Sequence, residues 1–166
     1  MECGWKEGYN KKIFEEEDGD KMGSENVDKL VHIKLHSSIQ HPGQKKELHK
    51  QMIQGKQIVK NGTFYLQYTE RQDGAEIQSI IKLGAKEALI MRSGAVQMRL
   101  PFAEGEERIG QYKTTHLAMQ LRVKTNQLQF EEGADGGTFV VKYQLFDGQH
   151  LLGTYELQII YTEGTL

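Results

Sequence analysis

The sequence predicts an all-β protein in which an antiparallel up-and-down meander closes into a barrel of about 8 to 10 strands. Three observations favour this fold. Apolar and polar residues alternate through residues 27–166, turn motifs containing Gly, Asn or Asp separate the alternating runs, and no stretch there has the spacing of an amphipathic helix. A long meander must curl to protect its edge strands, which favours a barrel. A sandwich of two sheets is the alternative, because alternation alone fits both.

Residues 1–26 precede this single barrel domain and are predicted to form a flexible, acidic extension. They hold four Lys and eight Asp or Glu residues, including an acidic run at 15–18. Trp5, Tyr9 and Phe14 would suit a docking arm, whereas chain ends are more often solvated. We therefore expect a solvated terminus.

The first predicted strand alternates from residue 30 to residue 39 and is followed by a turn at 41–44. If that turn closes symmetrically, His36 lies opposite His49. The same register points Lys50 toward the interior, which argues against it.

Two later turns are predicted at 61–62 and 147–149. Asn-Gly at the first is typical of a type I′ hairpin and pairs Val59 with Phe64. The last two strands both carry apolar residues at odd positions, so the loop between them should have an odd number of residues. We expect a three-residue loop at 147–149 with Gly148 in the left-handed region.

The central hairpin, LIMRSGAVQMRLPF at 89–102, is predicted to turn at Ser93-Gly94. A two-residue turn pairs Met91 with Val96 and places both on the buried face. Arg92 then lies on the opposite, outer face.

Composition excludes several classes of function. Beyond the extension the chain has 17 basic and 15 acidic residues, and this near-neutral balance is a poor surface for nucleic acid. No apolar run approaches the roughly 20 residues of a membrane-spanning helix, and the first residues lack the apolar core of a signal peptide. We therefore expect a cytoplasmic protein without a membrane partner, in which the single Cys3 forms no internal disulfide.

The segments LIMRSGAVQMRLPFAEGE and GQYKTTHLAMQLRVKT, with YTEG near the end, resemble the bacterial YwiB-like family of small calycin-like β-barrel proteins, a domain of unknown function. The similarity runs from about Val31 to Gly164, and its most specific part is 91–96 with Phe102 and Gly105. The resemblance implies a lipocalin-like barrel of Gram-positive bacteria. It implies no activity, cofactor or catalytic residue.

Candidate ligand-binding residues are side chains that the alternation places inside the barrel, above all tyrosines whose hydroxyls need partners. They are Tyr68, Tyr143, Tyr155, Tyr161, Met91, Met98 and Met119. A small barrel has enough interior either to fill with side chains or to hold one small ligand. The sequence leaves both possibilities open.

Arg92, Arg99 and Arg122 are predicted to share the outer face, where they would suit an anion or a protein partner. The alternative is a solvated exterior with cross-strand ion pairs. Their common face is therefore a candidate partner surface.

A metal site is not predicted. His32 and His36 on one extended strand would be about 13 Å apart, too far for one zinc ion. His36 and His49, if opposite, would supply only two ligands.

Three hypotheses follow. The first is a non-enzymatic barrel that binds a small, mainly apolar ligand inside and uses tyrosine hydroxyls as polar contacts. The second is a solid-core module that docks a protein through the three arginines. The third is an enzyme in the barrel mouth, for which the sequence offers no catalytic residue. No cofactor is expected, and both a monomer and a dimer fit the sequence.

Overall fold

A computed structural model describes residues 27–164, which form a closed barrel of ten antiparallel strands. Each strand pairs with the next along the chain, and the first pairs with the last. The strands are β1 (Val27–Gln40), β2 (Glu47–Lys60), β3 (Thr63–Gln72), β4 (Ala75–Leu83), β5 (Glu87–Gly94), β6 (Gln97–Ala103), β7 (Glu107–Lys113), β8 (Ala118–Glu132), β9 (Gly136–Asp147) and β10 (His150–Glu163). The predicted all-β barrel is confirmed over the sandwich, while the predicted extension lies outside the described residues. The part of the chain that the structure describes contains no helix with the length and apolar character of a membrane span.

The two ends of the barrel differ in their filling. We call the end where β1 begins the packed end, because inward and mainly apolar side chains are closely buried there. Its most buried members are Val31, Ile33, Leu66, Ile81, Phe102, Val123, Phe139, Val141 and Ile159. The opposite end, where β1 ends and β2 begins, is called the open end.

The hairpin between β2 and β3 forms as predicted. Asn61 and Gly62 both have positive φ, at 53° and 80°, as a type I′ turn requires. Val59 lies opposite Phe64. The Asn-Gly dipeptide therefore sets this register.

The predicted register between β1 and β2 is wrong by one residue. His36 lies opposite Lys50, and Ser37 lies opposite His49. A shift of one residue exchanges the two faces of a strand. Lys50 thereby points outward, where its ammonium group stays hydrated, and this removes the conflict seen in the sequence.

The register of the central hairpin also differs from the prediction, and the difference changes the interior. Ser93 and Gly94 are not a turn, because both residues still pair with β4, where Gly94 faces Ile77. The last residues of β5 and β6 that pair with each other are Arg92 and Met98, so five residues separate them along the chain. Consequently Arg92 points into the barrel and Met91 points outward.

The hairpin between β9 and β10 combines a two-residue turn with a bulge. Gly148 has a positive φ of 63°, as predicted, but His150 pairs directly with Asp147, so the three-residue loop is wrong. A β-bulge between Leu151 and Gly153 adds one extra residue instead, so the odd positions of both strands still face the same side.

Candidate functional site

The open end of the barrel encloses a cavity of about 380 Å³. Aliphatic and thioether side chains from six strands form much of its wall. They are Leu35, Ile39, Ile90, Met98, Leu100, Met119, Leu121, Leu145, Leu152 and Leu157. The cavity is therefore mainly apolar, and it lies on the barrel axis above the packed end.

Aromatic rings explain where the filled core stops and the cavity begins. Phe102 of the packed end contacts Tyr143, which lines the cavity, with 4.8 Å between ring centroids. Tyr143 also stacks nearly parallel to Tyr155, with 5.1 Å between ring centroids. The cavity therefore begins beyond Phe102, where Tyr143 and Tyr155 line its wall.

One ion pair lies inside the cavity. Glu70 of β3 follows the inward series of Leu66 and Tyr68, and its side chain is only 3% exposed. Arg92 Nη2 donates a hydrogen bond to Glu70 Oε1 at 3.1 Å, and the Arg92 side chain keeps 27% of its surface accessible. The buried carboxylate is thus neutralised by a cation that still faces the cavity.

Tyrosine hydroxyls surround this pair and stay protonated. Burial raises the pKa of Tyr68 to about 12, although the positive charge of Arg92 opposes the rise. Burial also raises the pKa of Tyr143 and, on the wall, that of Tyr155. These O–H groups therefore remain able to donate hydrogen bonds at neutral pH.

The candidate ligand-binding residues divide into three groups. Five of them line the cavity, and these are Tyr68, Tyr143, Tyr155, Met98 and Met119. Tyr161 lies at the packed end, where its hydroxyl accepts a hydrogen bond from Gln57 Nε2 at 3.2 Å and burial raises its pKa to about 12. Met91 lies on the outer face because of the hairpin register, so its predicted inward orientation is wrong. Ligand binding by these residues remains a prediction.

The three arginines do not share a surface, and that expectation is corrected. Arg92 is inside the barrel, for the reason given above, while Arg99 is on the outer face beside Met91. Arg122, also outside, donates to both carboxylate oxygens of Glu107 at 3.0 and 3.1 Å, and its guanidinium lies 4.3 Å from the Phe146 ring. An anion or partner surface built from all three is therefore ruled out.

The histidines that the sequence places near each other are on different faces. His49 points inward at the cavity rim, opposite Ser37, whereas His36 points outward. Among residues 27–164, no three His, Cys, Asp or Glu side chains are grouped as metal ligands.

Sequence reasoning missed Glu70 as a site residue. The signal was present, because Phe64, Leu66 and Tyr68 alternate inward and the next position in that series is Glu70. An acidic residue at an inward position of a strand calls for a basic partner inside the barrel. Arg92 became that partner only through the register of the central hairpin.

Comparison with known proteins agrees with the fold. Residues 33–159 match the family model described as Domain of unknown function (DUF1934). The chain is 31% identical over 107 residues to the Uncharacterized beta-barrel protein YwiB of Bacillus subtilis (strain 168), covering 64% of this chain and 75% of YwiB. The crystal structure of the ywiB protein from Bacillus subtilis superimposes with a TM-score of 0.74 at 28% identity, over 83% of this chain and 94% of that one. With most of its barrel inside the family match and its fold shared with YwiB, this chain belongs to the DUF1934 family of β-barrel proteins.

Proposed function

We propose that this protein binds a small, mainly apolar molecule in the open end of its barrel and does so without catalysis. The observation that carries the proposal is an apolar cavity with one neutralised ion pair, Glu70–Arg92, in its wall. In this proposal the barrel uses its interior in the way that the lipocalin-like resemblance implies. The proposal keeps the cytoplasmic location predicted from the sequence.

The size and lining of the cavity support binding over a solid core. Ligand sites usually measure roughly 300–1,000 Å³ and are mostly apolar with a few polar groups. The open end, at about 380 Å³, falls at the small end of that range. A ligand there would remove the aliphatic wall from water, which contributes about 25 cal/mol per Å² of apolar surface.

The polar groups favour a ligand that carries an acceptor oxygen. Arg92 and the hydroxyls of Tyr68 and Tyr143 are donors that face or border the cavity. A carbonyl or carboxylate oxygen on the ligand would accept from these groups. Because Glu70 already balances the charge of Arg92, the ligand does not have to be ionised.

The same groups are better suited to binding than to proton transfer. General acid–base catalysis works best when the pKa of the catalytic group lies near the working pH. Burial holds the pKa of Tyr68 at about 12 and raises that of Tyr143 as well. The Glu70 carboxylate is engaged with Arg92.

Filling the cavity is expected to abolish binding. Met119→Trp adds an indole inside the barrel, whereas Met52→Trp adds the same group on the outer face, where Met52 is exposed. We expect native mass spectrometry of protein purified from its own host to show a stoichiometric small-molecule adduct in the unsubstituted protein and in Met52→Trp. Met119→Trp should carry at least tenfold less adduct.

Decanoate provides a defined probe for the same site, because it joins an apolar chain to a carboxylate. Calorimetric titration should detect its binding to the unsubstituted protein and to Met52→Trp only. An adduct-free mass together with no decanoate binding at millimolar concentration would refute the proposal. Equal binding by both Trp variants would place the ligand outside the cavity and would refute it too.

A further inference from the structure

An apolar cluster lies on the outside of the barrel. We call it the outer patch and define it by Ile58 of β2, Tyr65 of β3, Ile80 of β4 and Met91 of β5. Register pairs Ile58 with Tyr65 and Ile80 with Met91, so the four form a continuous band across neighbouring strands. Each alternates with an inward residue, which places the band on the outer face.

The outer patch is buried although it faces away from the core. Its four residues are between 0% and 9% exposed, and Tyr65 is the most buried of them. Other apolar residues on the outer face are covered less. Val140 and Phe146 are half-buried, and the exposed fraction rises from 37% for Ile160 to 71% for Leu48. Neighbours within one sheet cannot cover each other to this degree, so the outer patch needs a segment packed over it.

We propose that residues 1–26 form this cover and bind the outer patch of their own barrel. The inference is independent of the ligand proposal, because the outer patch and the cavity lie on opposite sides of the barrel wall. The segment supplies suitable apolar groups in Trp5, Tyr9, Ile13 and Phe14.

The position where the segment joins the barrel supports the assignment. Val27 begins β1 and lies opposite Val59, the residue next to Ile58. The outer patch spans β2 to β5, about 14 Å at roughly 4.8 Å per strand. Extended chain covers about 3.3 Å per residue, so the stretch from Phe14 to Val27 reaches about 40 Å. The apolar part of the segment can therefore reach the whole band.

Charge also favours this occupant. Residues 15–18 are four consecutive carboxylates next to Phe14. The outer faces of β2, β4 and β6 carry Lys60, Lys82 and Arg99 around the outer patch. Burial lowers the pKa of Arg99, as expected for a cation on a face that is covered. Opposite charges at the border would orient the segment.

The only tryptophan of the chain lies in this segment, so its fluorescence reports on residues 1–26 alone. In the intact protein we expect Trp5 to emit at shorter wavelength than in urea and to be quenched several-fold less by acrylamide. Amide hydrogen exchange should show slowed exchange within residues 1–26. Trp5 quenching like that of the unfolded chain, together with unprotected amides, would overturn the proposal.

Met91→Lys tests the outer patch directly, because it introduces an ammonium group into the band. It should speed exchange in residues 1–26 several-fold and expose Trp5, while Ile160→Lys, a matched change on an exposed outer position, should not. If Met91→Lys fails to fold, replacing Ile13 and Phe14 by Ser tests the contact from the segment and should release it. If the amides of residues 1–26 stay protected when Ile13 and Phe14 are replaced, the proposal is wrong. It is also wrong if their protection disappears when dilution dissociates a dimer, because a second copy of the chain would then be what covers the outer patch.

Discussion

Replacing Arg92 by Met is expected to lower the free energy of unfolding by about 3 kcal/mol near neutral pH, at the low end of the range for breaking a buried ion pair. The low end is appropriate because Arg92 keeps part of its surface accessible, whereas Glu70 is almost fully buried. Methionine replaces the aliphatic stem of Arg92 but not its charge. The loss therefore comes from leaving the Glu70 carboxylate without a cation, and urea unfolding followed by circular dichroism measures it.

Glu70→Gln provides the matched control. Added to Arg92→Met, it removes the stranded charge and should recover at least half of the lost stability. Glu70→Gln alone should lower the free energy of unfolding by only about 1 kcal/mol, less than Arg92→Met does. The reason is that the accessible guanidinium of Arg92 can be hydrated when its partner is neutral. If the double variant is no more stable than Arg92→Met, the ion pair is not what stabilises this wall.

The sequence was sufficient for the fold because the fold depends on local features. Alternation locates strands, and a turn such as Asn61-Gly62 fixes its own geometry through positive φ. These features repeat along the chain, so the meander and its closure followed from them. Val59 and Phe64 met as predicted because nothing beyond the turn was needed to place them.

The candidate site depends on whether each loop has an odd or an even number of residues, because this decides which residues of the next strand face inward. The sequence leaves that number open. A loop that is longer by one residue, or a bulge such as the one between Leu151 and Gly153, exchanges the inward and outward sets of a strand. At the central hairpin this decided whether Met91 or Arg92 faces the interior. Pairing of Ser93 and Gly94 with β4 excluded the expected turn, and that contact is not local in sequence.

Alkaline pH is expected to destabilise the barrel through its buried tyrosines. The ordinary pKa of tyrosine is about 10 in an unfolded chain, whereas burial raises that of Tyr68 to about 12 in the folded protein and raises that of Tyr143 too. Ionisation therefore favours the unfolded chain. The stability that these hydroxyls contribute is complete below about pH 10 and is lost as the pH rises toward 12, by up to roughly 1.4 kcal/mol per pH unit for each tyrosine.

Phenylalanine at these positions should flatten that decline, because it has no proton to lose. At pH 8, Tyr68→Phe is expected to be about 1 kcal/mol less stable than the unsubstituted protein, since the buried hydroxyl of Tyr68 no longer interacts with the Arg92 guanidinium. At pH 11 the difference should vanish or reverse, and Tyr68→Phe with Tyr143→Phe should flatten the curve further. Urea unfolding at both pH values provides the comparison, and parallel curves for all variants would mean that lysine titration, not these hydroxyls, governs the alkaline limit.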